Sequence, residues 1–258
     1  MIEQYQIAAE VLWNANVFKT PCDPVRTIIG ESDVDSAYKV QEINIQKRIA
    51  SGEQVIGKKI GLTSFAVQKQ LGVDQPDYGI LFDTMKIGNG ASLSKTELMQ
   101  PKAEAEIAFV MKSDLSGKIN MDTLIAAIDF AVPAIEIVGS RVENWNIKIT
   151  DTIADNASAS HFVLGENKVN LSDIDLTGCV MKMTKNGEVM SEGTGAACMD
   201  NPLNAALWLA TVMANNGQPL KAGEILLSGA LGPMVNITAG DFIEANIEGL
   251  GVVSLKIV

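Results

Sequence analysis

The sequence predicts an α+β protein with a sheet-dominated core: a small helical region over residues 1–54, then a β-rich domain over 55–258. Three observations predict it. Apolar residues recur at helical spacing through the first fifty residues. From Val55 onward short apolar runs alternate with Gly, Asn and Asp. Finally, Asn186-Gly187 stands between two strand-like runs, a strong signal for a tight hairpin.

Taken in order, residues 2–16 read as a helix with Ile7, Val11 and Leu12 on one face, and Thr20-Pro21-Cys22-Asp23-Pro24 ends it. A second helix starts near Ser32 or Asp33. It carries Val34, Tyr38, Ile45 and Ile49, and stops at Ser51-Gly52. Val55–Leu62, Glu104–Val110 and Ala134–Val138 read as strands. Val180–Lys185 and Glu188–Met190 flank the hairpin turn, and Ile225–Leu227, Phe242–Ile247 and Val252–Ile257 follow. Two helices interrupt the pattern. One spans about Asp122 to Ala131, ahead of Pro133. The other opens on Asn201-Pro202, an N-cap followed by proline at the first helical position, and ends at Asn216-Gly217. The small, polar stretch Asp151–Ser160 reads as turns.

Composition narrows the function. The net charge of −11 argues against nucleic acid as a partner. No run of 18 apolar residues and no basic amphipathic stretch speaks for a membrane. The acidic start Met1-Ile2-Glu3 is unlike a signal peptide. Three scattered cysteines, Cys22, Cys179 and Cys198, suit a reducing, cytoplasmic compartment and lack the spacing of a zinc site. With a single histidine, His161, any metal centre must be ligated mainly by oxygen, which favours Mg²⁺, Mn²⁺ or Ca²⁺. His161 itself is expected to be a satisfied structural residue.

Glu104 and Glu106 lie two apart in a strand-like run, so both side chains face one side, with Cα atoms ~6–7 Å apart. Either they sit on an exposed edge strand, or they grip one cation whose charge offsets their mutual repulsion. Glu136 stands among apolar neighbours, where it needs a salt bridge, an outward-facing position or a metal. Three glutamates from two strands would suit an octahedral Mg²⁺ with positions left for water or substrate. Of Lys58 and Lys59, one faces inward, where an ammonium near a metal could stabilise an oxyanion or relay a proton. The segments 151–160 and Ser228–Pro233 are either tight turns or loops that present backbone amides to a carboxylate. Neither G-x-G-x-x-G nor a P-loop occurs.

Several collinear segments together resemble the 2-keto-4-pentenoate (2-hydroxypenta-2,4-dienoate) hydratases of the fumarylacetoacetate hydrolase superfamily. They are Lys59-Ile60-Gly61-Leu62-Thr63-Ser64, Gln75-Pro76-Asp77-Tyr78-Gly79, Pro101–Glu106, Pro133–Ser140, Ile153–Ser158 and Gly229–Met234. The resemblance implies a curved mixed β-sheet (β-roll) core with flanking helices, with 55–258 as the catalytic domain. It implies Glu104, Glu106 and Glu136 as ligands of Mg²⁺ or Mn²⁺, Lys59 as the active-site lysine and Asp77 in the pocket. Ser158, Ser228 and Gly229 would bind the substrate carboxylate; Ser228 stands where a threonine is usual and keeps the hydroxyl. It further implies a small 2-oxo acid as substrate, a homo-oligomer, and room for a complex with an enzyme of the same pathway. The rival expectations are a 4-oxalocrotonate-type decarboxylase on the same scaffold, a C–C hydrolase of a β-diketone-like acid, and a non-catalytic small-acid-binding subunit.

Overall fold

The computed structural model describes residues 2–71 and 73–258. Helices α1 (Ile2–Phe18), α2 (Arg26–Ile29) and α3 (Val34–Ala50) come first. Then follow β1 (Val55–Gly61), α4 (Phe65–Leu71), β2 (Asp77–Phe82), β3 (Lys86–Ile87), β4 (Ser92–Leu93), β5 (Lys102–Met111), α5 (Met121–Ala127) and β6 (Ile128–Val138). The remainder is α6 (Ile149–Ala154), β7 (Ala159–Leu164), β8 (Val180–Lys185), β9 (Glu188–Thr194), α7 (Pro202–Asn215), β10 (Ile225–Ala230), β11 (Val235–Asn236), β12 (Phe242–Ile247) and β13 (Gly251–Ile257).

The strands form two sheets. The larger runs β2-β1-β10-β5-β6-β7-β3, with β11 also paired to β5; the smaller runs β4-β13-β12-β8-β9. Pairing is antiparallel except at β1–β10, β3–β7 and β4–β13. One apolar core fills the space between the sheets and under α7. Ile107, Phe109, Ile135 and Phe162 enter from the large sheet, Ile243, Val253 and Leu255 from the small one, and Leu209 and Met213 from α7. The central strands β5 and β6 are buried on both faces, so an acid on either costs free energy unless it has a partner.

The expected punctuation appears where its chemistry is strong. Asp33 caps α3 by accepting from the Ser36 amide. Asn201 caps α7 ahead of Pro202. Asn186 and Gly187 take φ of 56° and 85°, the left-handed pair that a two-residue hairpin needs.

Three expectations need correction. The helix foreseen to Ala131 ends at Ala127, and the chain runs straight into β6, which contains Pro133. The Pro133 carbonyl accepts from the Gly165 amide at 2.7 Å, just past the end of β7. Its ring nitrogen therefore faces a place where no further ladder bond is demanded. On α1 the buried stripe is Ala8, Leu12 and Ala15, while Ile7 is half exposed. Alanines let α1 and α3 approach closely, and a search for large apolar residues passes over them. The stretch 151–160 is not simply turns: it comprises most of α6, a short left-handed turn and the start of β7.

The N-terminal helices do not enclose a core of their own. Ala8, Leu12, Ala37 and Val40 close onto Ile149 and Ile153 of α6. One buried acid anchors this contact, and a second fixes the chain just past α6 to the residues after β6. Asp151 accepts from the Arg26 amide at 2.8 Å and its guanidinium at 2.5 Å, and Asp155 pairs with Arg141.

Candidate active site

Register brings the acids together. Glu104 on β5 lies directly opposite Glu136 on β6, and Glu106 follows two residues along on the same face. One carboxylate oxygen from each of the three lies within 4.8 Å of the others. Glu106 and Glu136 are fully buried and Glu104 partly so. Glu106 Oε1 and both Glu136 oxygens find no hydrogen-bond partner among the described residues. Three converging carboxylates with orphaned buried oxygens are unfavourable by themselves. They become favourable around a hard divalent cation, whose charge and preference for oxygen meet both deficits. The donor set fits such an ion.

β1 and β2 supply the remaining polar groups. Strand alternation turns Lys59 toward the acids and Lys58 away, to an ion pair of 2.5 Å with Glu224. Lys59 Nζ lies 3.2 Å from Glu136 Oε2, off the line of a hydrogen bond, and donates to the Ala157 carbonyl at 3.0 Å. Burial works against the ammonium, but Glu136, Glu104, Asp77 and Glu106 outweigh it and raise the Lys59 pKa above its ordinary value. Asp77 starts β2, paired with Gly61, and neither of its oxygens has a hydrogen-bond partner. Any Cβ on Gly61 would come within 2.2 Å of Asp77 Oδ1, so this close approach requires glycine. Burial raises the Asp77 pKa, against the pull of Lys59. Burial likewise raises Glu104, raises Glu136 to about 7, and lifts Glu106 well above the usual range with help from its two neighbours.

Glu104 and Asp77 open onto a cavity of about 560 Å³. Lys59, Asp77, Glu104, Thr152 and Ser158 line its polar end. Leu62, Val138, Trp145, Ile147, Leu231 and Met234 form an apolar wall. The Ser158 and Thr152 hydroxyls lie 3.3 Å apart. Ser158 gets there through an unusual backbone: Asn156, Ala157 and Ser158 all take left-handed φ, between 50° and 56°. Asn156 fixes that turn by clasping Ile80, accepting from its amide at 2.7 Å and donating to its carbonyl at 2.9 Å. Glycine at position 79 allows the approach, since a Cβ there would meet the Asn156 carbonyl at 2.3 Å.

The structure therefore gathers Lys59, Asp77, Glu104, Glu106, Glu136 and Ser158 in one place. It does not bring Ser228 to the cavity. That side chain is fully enclosed, and its hydroxyl donates to the Gly229 carbonyl at 3.3 Å. Nor does Gly229 line the cavity: its amide donates to Glu106 Oε2 at 2.9 Å. This end of β10 does present a backbone amide to a carboxylate, but the carboxylate is the protein's own. Thr152 and Asn156 were not singled out from the sequence. The only available signal was their place in a segment rich in small polar residues, which does not separate a turn from a site.

Residues 59–258 match the model of the fumarylacetoacetate (FAA) hydrolase C-terminal family, and the chain belongs to that family, whose fold is the curved mixed sheet with flanking helices described above. Within it, the chain is 52% identical over 248 residues to the TodF product hydratase of Pseudomonas putida (strain F1), covering 96% of this chain and 92% of that one. It is also 52% identical over 250 residues to 2-keto-4-pentenoate hydratase 2 of Dechloromonas aromatica (strain RCB), covering 96% and 95%. Among solved structures it superposes on the 4-oxalocrotonate decarboxylase of Pseudomonas putida G7, complexed with magnesium and adipate, with a TM-score of 0.94, 35% identity and coverage of 100% and 98%.

Proposed function

We propose that this chain is a divalent-metal-dependent hydro-lyase that adds water to 2-hydroxypenta-2,4-dienoate (2-keto-4-pentenoate), giving 4-hydroxy-2-oxopentanoate, in the catabolism of aromatic compounds by ring cleavage. The observation that carries the reading is the convergence of Glu104, Glu106 and Glu136, with orphaned oxygens, beside a buried ammonium and a cavity with an apolar wall. The 52% identity to relatives named as hydratases supports it. Mg²⁺ or Mn²⁺ would be held by Glu104, Glu106 and Glu136; when bound, it supplies Lewis acidity toward the carboxylate and 2-oxygen of the substrate.

The residues then divide the work. The dienol loses its 2-hydroxyl proton and gains a proton at C5, leaving a C3=C4 double bond conjugated to the 2-oxo group. Water then adds, oxygen at C4 and hydrogen at C3, so the balance is one water consumed. Lys59, kept charged by four carboxylates, stabilises negative charge on the 2-oxygen and can donate a proton. Asp77, whose pKa burial raises, has free oxygens to take up and return a proton beside Lys59. Ser158, with Thr152 behind it, offers a hydroxyl to the substrate carboxylate. Ser228 stands behind the site on β10, next to the Gly229 amide that holds Glu106. The apolar wall excludes bulk water and accepts the hydrocarbon end.

A 4-oxalocrotonate-type decarboxylase is the second reading, favoured by the superposition on such an enzyme. Against it, Lys59 is the one cation lining the cavity among the described residues, so a second substrate carboxylate would meet the apolar wall without a counter-charge. The deciding experiment follows 2-hydroxypenta-2,4-dienoate by its ultraviolet absorbance with Mn²⁺, with Mg²⁺ and with chelator, and measures carbon dioxide released from 2-oxohex-3-enedioate in parallel. Metal-dependent loss of the diene without carbon dioxide is expected; carbon dioxide release as the faster reaction would overturn the assignment.

No helix among the described residues is long and apolar enough to cross a membrane. We assign the enzyme to the cytoplasm, in keeping with three free cysteines, and to a homo-oligomer, with a pathway enzyme as a further partner. Residues 1–54 serve as a helical cover for the catalytic domain 55–258.

A further inference from the structure

A second cavity, of about 310 Å³, lies on the far side of the Asp155–Ser158 turn from the acids, between α1, α3 and the start of β7. Its lining differs in kind from that of the first. Lys19, Arg48, Arg141 and His161 face it, together with Asn16 and two acids, Glu97 and the Arg141-paired Asp155. In a chain carrying a net charge of −11, this concentration of cations is unusual.

Counting donors shows what the cavity lacks. Arg141 is already committed through three of its five N–H groups: it donates to the Asp155 side chain, to the Asp155 carbonyl at 2.6 Å and to the Ala159 carbonyl at 3.1 Å. Arg48 spends Nε on Glu53 at 3.0 Å and Nη2 on Glu53 at 2.5 Å and the Thr84 hydroxyl at 3.2 Å, but its Nη1 touches only the Met85 sulfur at 3.8 Å. Lys19 Nζ has one good acceptor, the Glu97 carbonyl at 2.9 Å, and a marginal one, Asn16 Oδ1 at 3.5 Å. His161 Nδ1 shares a hydrogen bond of 2.9 Å with the Ser160 hydroxyl. The nearest partner of its Nε2 is Glu97 Oε2 at 3.7 Å, beyond hydrogen-bond reach. With Ser160 donating to Nδ1, the proton sits on Nε2 and points into the cavity. Arg48 Nη1 and His161 Nε2 thus have no oxygen acceptor, and the exposed Lys19 ammonium has capacity to spare. Burial and then the charges of Lys19, Arg48 and Arg141 push His161 down to about 4, and burial with Arg141 and Arg48 also lowers Lys19. Burial is the larger cause of both shifts, and the neighbouring cations add to it.

We propose that this cavity is a binding site for a small oxyanion, a short-chain carboxylate or inorganic phosphate, held by Lys19, Arg48 and His161. The lining matches the ligand: a group with two or three acceptor oxygens can accept from the three side chains that face this cavity, and cationic donors make the strong form of that bond. The volume suits a small molecule. The location gives the site a consequence. Asp155, Asn156, Ala159, Ser160 and His161 face this cavity, while Ala157 and Ser158, within the same segment, face the acids. The Ala157 carbonyl is the hydrogen-bond partner of Lys59. A ligand bound here rests on the wall that positions that lysine.

The single histidine makes the test specific, because one imidazole signal reports this cavity alone. The Mg²⁺-loaded full chain, labelled with ¹³C at histidine, is titrated separately with inorganic phosphate, acetate and succinate, with chloride at matched ionic strength as control. The expected result is a saturable shift of the imidazole signal with at least one oxyanion and none with chloride. Which salts act tells phosphate from organic acid. Lys19→Gln, an exposed substitution, should weaken the midpoint by about tenfold, and Glu97→Gln should tighten it. A shift that grows linearly and equally with chloride, or a midpoint unchanged by both substitutions, overturns the site.

Discussion

Two sets of buried carboxylates sit about one short segment apart and differ in a single respect. Asp151 and Asp155 have their oxygens occupied by Arg26, the Lys148 amide and Arg141. Glu106, Glu136 and Asp77 are at least as deeply buried, yet five of their six oxygens have no hydrogen-bond partner. Both sets bear the cost of burial, and burial raises Asp155 as it raises Glu106. The first set recovers that cost inside the folded chain. The second recovers only part of it, through Lys59 and the Gly229 amide, until something enters. The difference separates carboxylates that hold the fold from carboxylates that the fold holds for chemistry.

The sharpest way to break this comparison is to neutralise one member of each set. Glu106→Gln or Glu136→Gln should reduce turnover about 10³-fold or more, on the order of 4 kcal/mol of transition-state stabilisation, by removing a ligand. Melting in chelator should stay level or rise, because like charges no longer crowd one another. A melting temperature that falls as far as activity does would make Glu106 a structural residue. Asp155→Asn is the mirror experiment. It leaves Arg141 buried without its counter-charge and should cost about 3–5 kcal/mol in denaturant unfolding. Next in size comes the metal. At a concentration 100 times its dissociation constant, Mn²⁺ should add about 2.7 kcal/mol to the wild type. For a chain of this length that is a rise of several degrees in melting temperature. The same addition should leave Glu106→Gln nearly unmoved, and equal rises in both proteins would place the metal elsewhere.

How far the sequence revealed this division depended on the residue. Glu104, Glu106 and Glu136 stood out because carboxylates interrupt apolar strands, and a spacing of two fixes their common face without knowledge of the rest of the fold. Lys59 was visible for the same reason, although alternation alone left it level with Lys58. Asp77 and Ser158 came from the resemblance, since a lone acid at the start of a strand and a serine in a polar stretch carry no periodic signal. Ser228 and Gly229 were expected in contact with substrate. Seeing that this end of β10 serves Glu106 instead required the bulge between β5 and β10, which no local pattern records. The left-handed turn at 156–158 was illegible, because Asn-Ala-Ser has no glycine to announce positive φ, and what holds it is a clasp to Ile80, seventy-six residues away. Helix α6 was hidden likewise. Six residues are too few to show a period, and its stability comes from packing against α1 and α3.

His161 offers the smallest test and bears on the same principle, since it too is buried in a polar setting without full compensation. Burial, reinforced by Lys19, Arg48 and Arg141, lowers it from the usual 6.5 to about 4, with Glu97 and Asp155 the acids facing the same space. Between those two values the unfolded chain takes up a proton that the folded chain refuses, so stability must fall as pH falls from about 6.5 toward 4 and level off below. Between pH 7.5 and 5 the loss assigned to this one group is about 2 kcal/mol. Other groups titrate in the same range, so the informative quantity is the difference between wild type and His161→Gln, measured by denaturant unfolding at both pH values. A pH dependence about 2 kcal/mol shallower in the variant is expected, and identical slopes would show that the imidazole ionises as freely in the folded protein as in water. Saturating oxyanion should shrink the difference as well, because a bound anion lets the folded protein accept the proton.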